Sequence, residues 1–556
     1  MTNQQDNQTA NWMIMVYIAA DDVLANFAVG SLKQLKRLAS QNDNDNVVVA
    51  AQFDANGQLN IARLIFDGTG NKSESLQGNK VDEVAADINM ATPFALTSFI
   101  NWAYAQREAQ HYCLFLWGHG PELLVDDYPV LASGQKVKKF LTPSELKSAL
   151  KDTNLAKAGN KFDIVGIDAC CMSLVELACE LPDHADFLVA SQEEVPDFSF
   201  PYDQLRIFGK NENSRESATV CKEIPKRYVA AYRDYIVTRE ERINSITLSG
   251  LSLKDIAAVV KPLDRLAAAL MNSIHDENKR QAVIDARANS RGFVAGLYVD
   301  LYHFCWQLCC KLSSEDPSNG ELLAACTEIC DAIDSRDDDA LVIANESADK
   351  NCHGLSIYFP YMTDAELAGM ESSPPVRQKG LKDPLNSHGT NGLTNGKISV
   401  EEKSDIDIFS DDEMDVREKG GMDVLAKGGI DVPAKGGIDV LAKGGIDVLA
   451  KLRRQRIEET EQYYADLELS KKTRWAKFIR HGWSRWLAEE AASGAKPSPA
   501  VDMSGVLDQR YSAQQCAINL LSLCKELEKE KTSGYSHEWS SDQPPHRGAG
   551  HRQPSN

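Results

Sequence analysis

The sequence predicts an α/β protein with a mainly parallel central sheet flanked by helices. Two observations predict it. Short apolar runs recur through the first half of the chain, and amphipathic stretches separate them. The runs are near-continuous rather than alternating, as strands covered on both faces should be. Strand, helix, strand in order is the pattern of a parallel sheet.

The elements follow in sequence. "WMIMVYIA" (12–19) reads as the first buried strand and "FAVGSLKQLKRLAS" (27–40) as the helix after it. "NVVVAAQFD" (46–54) is a second strand, and the Asn-Gly step in "FDANGQLNIARLIFD" predicts a hairpin. "YCLFLW" (112–117), "FDIVGID" (162–168) and "DFLVAS" (186–191) complete the first set. Between them "TPSELKSALKDTNLA" opens with a Thr-Pro helix start. A second α/β portion is expected from "NSITLSGLSL" (244–253), helical runs over 254–348 and "HGLSIYFPY" (353–361), which Pro360 ends.

At 556 residues the chain exceeds a single ordinary core. Residues 1–11 are expected to be disordered and 12–365 to form the core. Residues 366–450 are expected to be a disordered insertion carrying an octapeptide repeat over 419–450, "KGGMDVLA" and its variants. Four short Gly-Gly units bury little, so a flexible linker is the first reading and a partner-binding ribbon the second. Residues 451–492 have helical periodicity and three tryptophans, and are expected to complete the core. Residues 493–556 read as a tail with a helix near 512–531.

A net charge of -21 argues against a general nucleic-acid binder. The polar start "MTNQQDNQTA" shows no secretory signal, and no run reaches the roughly eighteen apolar residues of a membrane span. Thirteen cysteines, odd in number and partly adjacent, suggest a reducing cytoplasm.

Two strands end on reactive side chains, at the strand edge where α/β proteins gather function. "YCLFLW" runs into "GHG", placing His119 in a glycine-flanked turn. "FDIVGID" runs into "ACC", placing Asp168, Cys170 and Cys171. His119 precedes Cys170 by 51 residues, close to the His-to-Cys spacing of caspases. Cys170 is a nucleophile candidate if positive charge or a helix start favours its thiolate, and "CMSLVELACEL" is read as such a helix. The competing reading is a cysteine that merely packs.

These motifs resemble those of the clostripain-like cysteine peptidases, relatives of caspases, metacaspases, gingipains and legumains. "WMIMVYIAADDVLANFAVGSLKQLKRL" is similar to the family's opening strand and helix, "LWGHG" to its histidine motif and "FDIVGIDACCMSLVE" to its cysteine motif. "GLSIYFP" and "YYADLELSKKTRWAKFI" resemble its late strand and closing segment. The resemblance covers roughly 12–362 and 455–480 and implies a caspase-like sandwich.

By resemblance, Cys170 is the nucleophile, His119 the acid/base, and the N–H groups of Gly120 and Cys170 the oxyanion hole. Cys171 is a non-catalytic neighbour. Asp168 lines the S1 pocket, although by residue type alone it could equally cap the next helix. "VASQEEVPDFSFPYD" (189–203) resembles the opposite cleft wall, with Asp197 chosen as a second S1 carboxylate over Glu193 and Glu194. The implied activity is hydrolysis after Arg or Lys in protein or peptide substrates. Family members are often processed between the two motifs, where Lys136, Lys138 and Lys139 stand here. "HGPELL" departs from the small residues that usually follow the family histidine.

No cofactor is expected. Some relatives use calcium, but no Asp-x-Asp-x-Asp-Gly-type loop occurs, and Asp21 and Asp22 either bind a cation or face solvent. His303, Cys305, Cys309, Cys310, Cys326 and Cys330 are read as helix packing in preference to zinc, since no CxxC knuckle appears. The rival functions are a catalytically silent scaffold that binds partners through insertion and tail, and a ligase or amidase using the same nucleophile.

Overall fold

The computed structural model describes residues 9–19, 25–41, 47–53, 61–68, 80–84, 89–120, 140–196, 199–208, 216–237, 246–273, 275–293, 296–333, 340–360, 457, 460 and 463–483. All of them fall in one compact unit, Met1–Val432 with Ala450–Ala495. The insertion, the tail helix and the basic stretch at 136–139 lie outside the described residues, as do Asp21, Asp22 and Asp197.

A nine-stranded sheet forms the centre. Five strands are parallel, in spatial order β2 (Val47–Phe53), β1 (Ala10–Ile18), β5 (Ala109–Trp117), β6 (Phe162–Asp168) and β7 (Ala185–Ala190). Antiparallel strands extend both edges. On one side lie β3 (Ile61–Phe66) and β4 (Lys80–Val84); on the other lie β8 (Thr247–Ser252) and β11 (Val342–Ser347). The sheet is thus parallel at its centre and mixed overall. The 244–253 strand adds to this same sheet and does not start a second one.

The apolar runs are near-continuous because both faces are covered. In β1, Met13, Met15 and Tyr17 face one core, while Trp12, Ile14, Val16 and Ile18 face another. Each fully buried side chain of this size contributes about 1.5–3 kcal/mol. The first core is closed by α2 (Pro93–Gln106), α3 (Pro143–Lys151), α4 (Asn154–Lys157) and α5 (Val175–Glu180), and by α7 (Ile256–Asn272), α8 (Glu277–Asn289), α9 (Leu301–Lys311) and α10 (Gly320–Ile333). The second is closed by α1 (Ala25–Gln41) and α6 (Ser217–Val237). The Thr-Pro start behaves as its chemistry dictates. Thr142 caps α3, Pro143 fills its first turn, and Glu145 completes a capping box.

Residues 254–348 are not helical throughout. They also hold β11 and two strands of a small antiparallel sheet, β9 (Gly292–Phe293) and β10 (Tyr298–Asp300), which β12 (Ser356–Tyr358) completes. β9 and β10 are too short for a periodicity to register, whereas β12 lies within the strand expected at 353–361. The closing segment is also broken where one helix was expected, with α11 (Glu468–Lys472) and α12 (Trp475–Lys477) separated by an extended Thr473. It is tied to the core through buried groups. The Glu176 carboxylate on α5 accepts from Tyr464 Oη at 2.6 Å and Tyr358 N–H at 2.8 Å. The indoles of Trp475 and Trp483 donate to the carbonyls of Tyr358 and Pro360.

Candidate active site

Trp117 pairs in register with Asp168 where β5 and β6 end, and Gly118 N–H donates to Asp168 O at 3.2 Å. Both chains then leave the sheet. His119 and Cys170, each two residues beyond the pair, therefore emerge at one carboxyl edge. Both are half-buried. The following residue closes the turn. A Cβ on Gly120 would lie 2.0 Å from Cys170 O and 2.9 Å from Cys170 N, so the two backbones touch where no side chain fits.

Cys170 does not start a helix, contrary to expectation. It lies in a turn, and α5 begins only at Val175 after the uncapped Leu174. Dipole assistance at Cys170 is therefore absent, since the effect fades within one helical turn. A backbone group takes over part of that role. Val195 N–H donates to Cys170 Sγ at 3.4 Å. The turn is sharp because Cys171 adopts φ 57°, and Cys171 N–H is held by Glu193 O at 3.0 Å. A non-glycine residue in this region costs on the order of 1–3 kcal/mol and persists only where its surroundings demand it. Cys171 is buried, pointing away from the role of Cys170.

Asp168 follows Ile164 and Gly166 on the face of β6 toward the second core, and is fully buried. Its Oδ2 accepts from Ser199 Oγ at 2.5 Å, Phe200 N–H at 2.8 Å and Tyr202 Oη at 3.0 Å. Among the described residues its Oδ1 is buried with no hydrogen-bond partner. It does not cap the helix that follows. Burial pushes the carboxyl up to about 7, against the downward pull of these three hydrogen bonds. Ser199 itself holds φ 68°, bending the 199–202 segment around the carboxylate.

The two glutamates of the facing loop differ. Glu193 is bound to the nearly buried Arg291, whose Nε also lies 2.7 Å from Asp349 Oδ2. Beside it, Gln192 donates to Asp300 Oδ2 at 3.0 Å and accepts from Gly354 N–H at 2.7 Å. Glu194 is exposed. Glu193 is therefore engaged in holding the loop, an engagement invisible in the sequence because Arg291 lies 98 residues away. Ser199, Tyr202 and Arg291 were not foreseen; the clustered "SFPYD" was the only local signal for the first two.

A thiol and an imidazole at one sheet edge, beside adjacent backbone N–H groups, form a constellation suited to acyl transfer. A sequence model described as the clostripain family matches residues 16–483. The chain belongs to the clostripain family. Among curated relatives, clostripain of Hathewaya histolytica is 24% identical over 351 residues, 54% of this chain and 62% of that protein. The match thus spans less than two thirds of that relative. Solved structures also match. An inactive zymogen C11 protease of Parabacteroides distasonis has a TM-score of 0.45 and 18% identity, over 63% of this chain and 92% of that one. A secreted C11 cysteine protease of Bacteroides thetaiotaomicron, in complex with an irreversible peptide inhibitor, has a TM-score of 0.43 and 18% identity, over 63% and 92%. The two stretches that resemble the family's motifs stand at one edge of the sheet, with "LWGHG" ending β5 and "FDIVGIDACC" ending β6.

Among the described residues, no group of three or more His, Cys, Asp or Glu side chains is arranged to hold a metal ion. Among them, no helix is long and apolar enough to cross a membrane.

Proposed function

We propose that this clostripain-family chain is a cysteine endopeptidase that cuts after Arg or Lys. The observation that carries the reading is the registered Trp117–Asp168 pair, which sends His119 and Cys170 out at one edge. Cys170 Sγ attacks the scissile carbonyl, and its thiolate is helped by Val195 N–H. The oxyanion is held by the N–H groups of Gly120 and Cys170. His119 protonates the leaving amine, then takes a proton from the water that hydrolyses the acyl-enzyme. These steps need no cofactor.

Specificity for a basic residue is supported by Asp168 Oδ1, a buried acceptor two residues before Cys170 with no hydrogen-bond partner among the described residues. A guanidinium or ammonium reaching it would be paired in a poorly hydrated setting, where such hydrogen bonds are strongest. Asp197 completes the pocket in this reading. Self-cleavage at Lys136, Lys138 or Lys139 would follow from the same specificity. A reducing cytoplasm suits a catalytic thiol.

The test is hydrolysis of fluorogenic peptides ending in Arg, Lys, Asp or Asn by wild type, Cys170→Ala and Cys171→Ala, with and without calcium. Activity on Arg or Lys that only Cys170→Ala abolishes supports the reading. Activity confined to Asp or Asn would overturn the specificity. No hydrolysis by wild type, even after limited proteolysis, would favour the silent scaffold. An intact, active wild type would sink self-cleavage.

A further inference from the structure

A ring of hydrogen bonds closes around the turn that carries Cys170. Just past the cysteine, Ser173 N–H donates to Ser191 O at 2.8 Å and Ser173 Oγ to Gly354 O at 2.6 Å. Ser356 N–H donates back to Ser173 O at 2.8 Å, so the Gly354–Ser356 stretch is fastened to the turn. One side chain ties that stretch to the facing loop. Gln192 Nε2 donates to Ser356 Oγ at 2.9 Å and to Asp300 Oδ2 at 3.0 Å, and its Oε1 accepts Gly354 N–H at 2.7 Å. Three residues further on, Val195 meets the sulfur of Cys170 and completes the ring.

We propose that Gln192 is a positioning residue for the nucleophile: by closing this ring it fixes Val195 against the sulfur and so favours the reactive thiolate of Cys170. The inference rests on Cys170 being the nucleophile. Val195 presents two groups to that sulfur, an N–H at 3.4 Å and a carbonyl oxygen at 4.0 Å. The N–H stabilises a thiolate, whereas the carbonyl accepts only from a protonated thiol. A small rotation of the loop would exchange the two. The reactivity of Cys170 therefore depends on what holds the loop in place.

The position calls for an amide. Gln192 is 1% exposed, so water cannot stand in for a lost partner. Asp300, which caps α9, is also buried, and its oxygens accept from His303 N–H at 2.7 Å and His353 N–H at 2.6 Å. Asp300 Oδ2 thus asks Gln192 for a donor, while Gly354 N–H asks it for an acceptor. A glutamine supplies both, with two N–H groups on one side and an oxygen on the other. A glutamate of the same size would set a second carboxylate against Asp300. Leucine would leave Asp300 Oδ2, Ser356 Oγ and Gly354 N–H each short of a partner.

The experiment reads the thiol itself, without a substrate. Full-length wild type, Gln192→Leu and Gln192→Glu are alkylated with iodoacetamide over about pH 5–10, and modification of Cys170 is followed by peptide mass spectrometry, with Cys170→Ala as the blank. In both variants the rate at neutral pH should fall by about tenfold and the midpoint of the profile should move to higher pH, with no fall in the high-pH plateau. Should these variants fail to fold, Ser356→Ala carries the test; it removes one of the three bonds and should move the midpoint the same way by less. Tyr464→Phe lowers stability away from the ring and should keep the wild-type profile. A wild-type profile in a folded Gln192 variant overturns the proposal. So does a lowered plateau with an unmoved midpoint, or an equal shift in Tyr464→Phe. Peptide hydrolysis is scored separately: a shifted profile in a chain that cuts no peptide would support the positioning role and overturn the peptidase reading alone.

Discussion

Gly120 and Cys170 touch through their backbones, so closely that a methyl group on the glycine would overlap the cysteine carbonyl. The colliding atoms are backbone, so nothing flexible can yield. Gly120→Ala is expected to displace the His119 turn from Cys170 and lower kcat by about 100-fold or more, the range seen when one oxyanion donor is lost. Steady-state kinetics with an Arg substrate, alongside a melting curve showing a folded protein, checks this. Unchanged kcat would remove Gly120 from the oxyanion hole.

The proposed pairing of Asp168 with a basic substrate side chain makes recognition depend on pH. Its carboxyl titrates at about 7 when folded, so below that pH it is neutral and cannot pair with a cation. kcat/KM for an Arg substrate is expected to fall as pH drops through 7. Asp168→Asn should lower kcat/KM throughout and abolish that limb. The same group sets a stability trend. Its folded pKa is raised, so the folded state binds more protons than the unfolded one between about pH 4 and 7, and stability declines as pH rises across that window. Melting of wild type against Asp168→Asn at pH 4 and 7 measures it.

Arg291 holds the loop over the nucleophile by joining Glu193 to Asp349. Arg291→Met leaves two carboxylates without their cation, at a cost of about 3–5 kcal/mol for breaking a buried pair. The Val195 contact to Cys170 Sγ should loosen with it, lowering kcat. Restoring stability with Glu193→Gln in the same chain should recover part of the melting temperature. Additive losses in the double variant would show that the two residues are not coupled.

Glu176 is the acid that ends the cysteine motif, and its job is structural. It binds Tyr464 from a segment 288 residues away. Tyr464→Phe removes a hydrogen bond to a buried carboxylate and is expected to cost about 1.5–3 kcal/mol. Denaturant unfolding should show the loss with kcat little changed. A large fall in kcat with unchanged stability would instead place Glu176 in the chemistry.

The strands of the parallel centre could be read from the chain because each is covered on both faces, which leaves a local signature of unbroken apolar residues. The capped start of α3 was equally local, since Thr142, Pro143 and Glu145 are neighbours. The positions of His119 and Cys170 followed from chemistry at strand ends. What lay beyond reach was set by contacts distant in sequence. The strands β9 to β11 are too short or irregular to show a period, and α5 starts late because the chain after Cys170 turns through a left-handed residue first. Glu193 was one acid among several until Arg291 arrived from across the fold. Asp168 could be placed at a strand end by its neighbours. Its burial, its three donors and its unshared oxygen exist only because residues 199–202 fold back over it. Local propensity acts between neighbours, whereas desolvation and charge pairing depend on which distant segments close over a group, and those the tertiary structure alone decides.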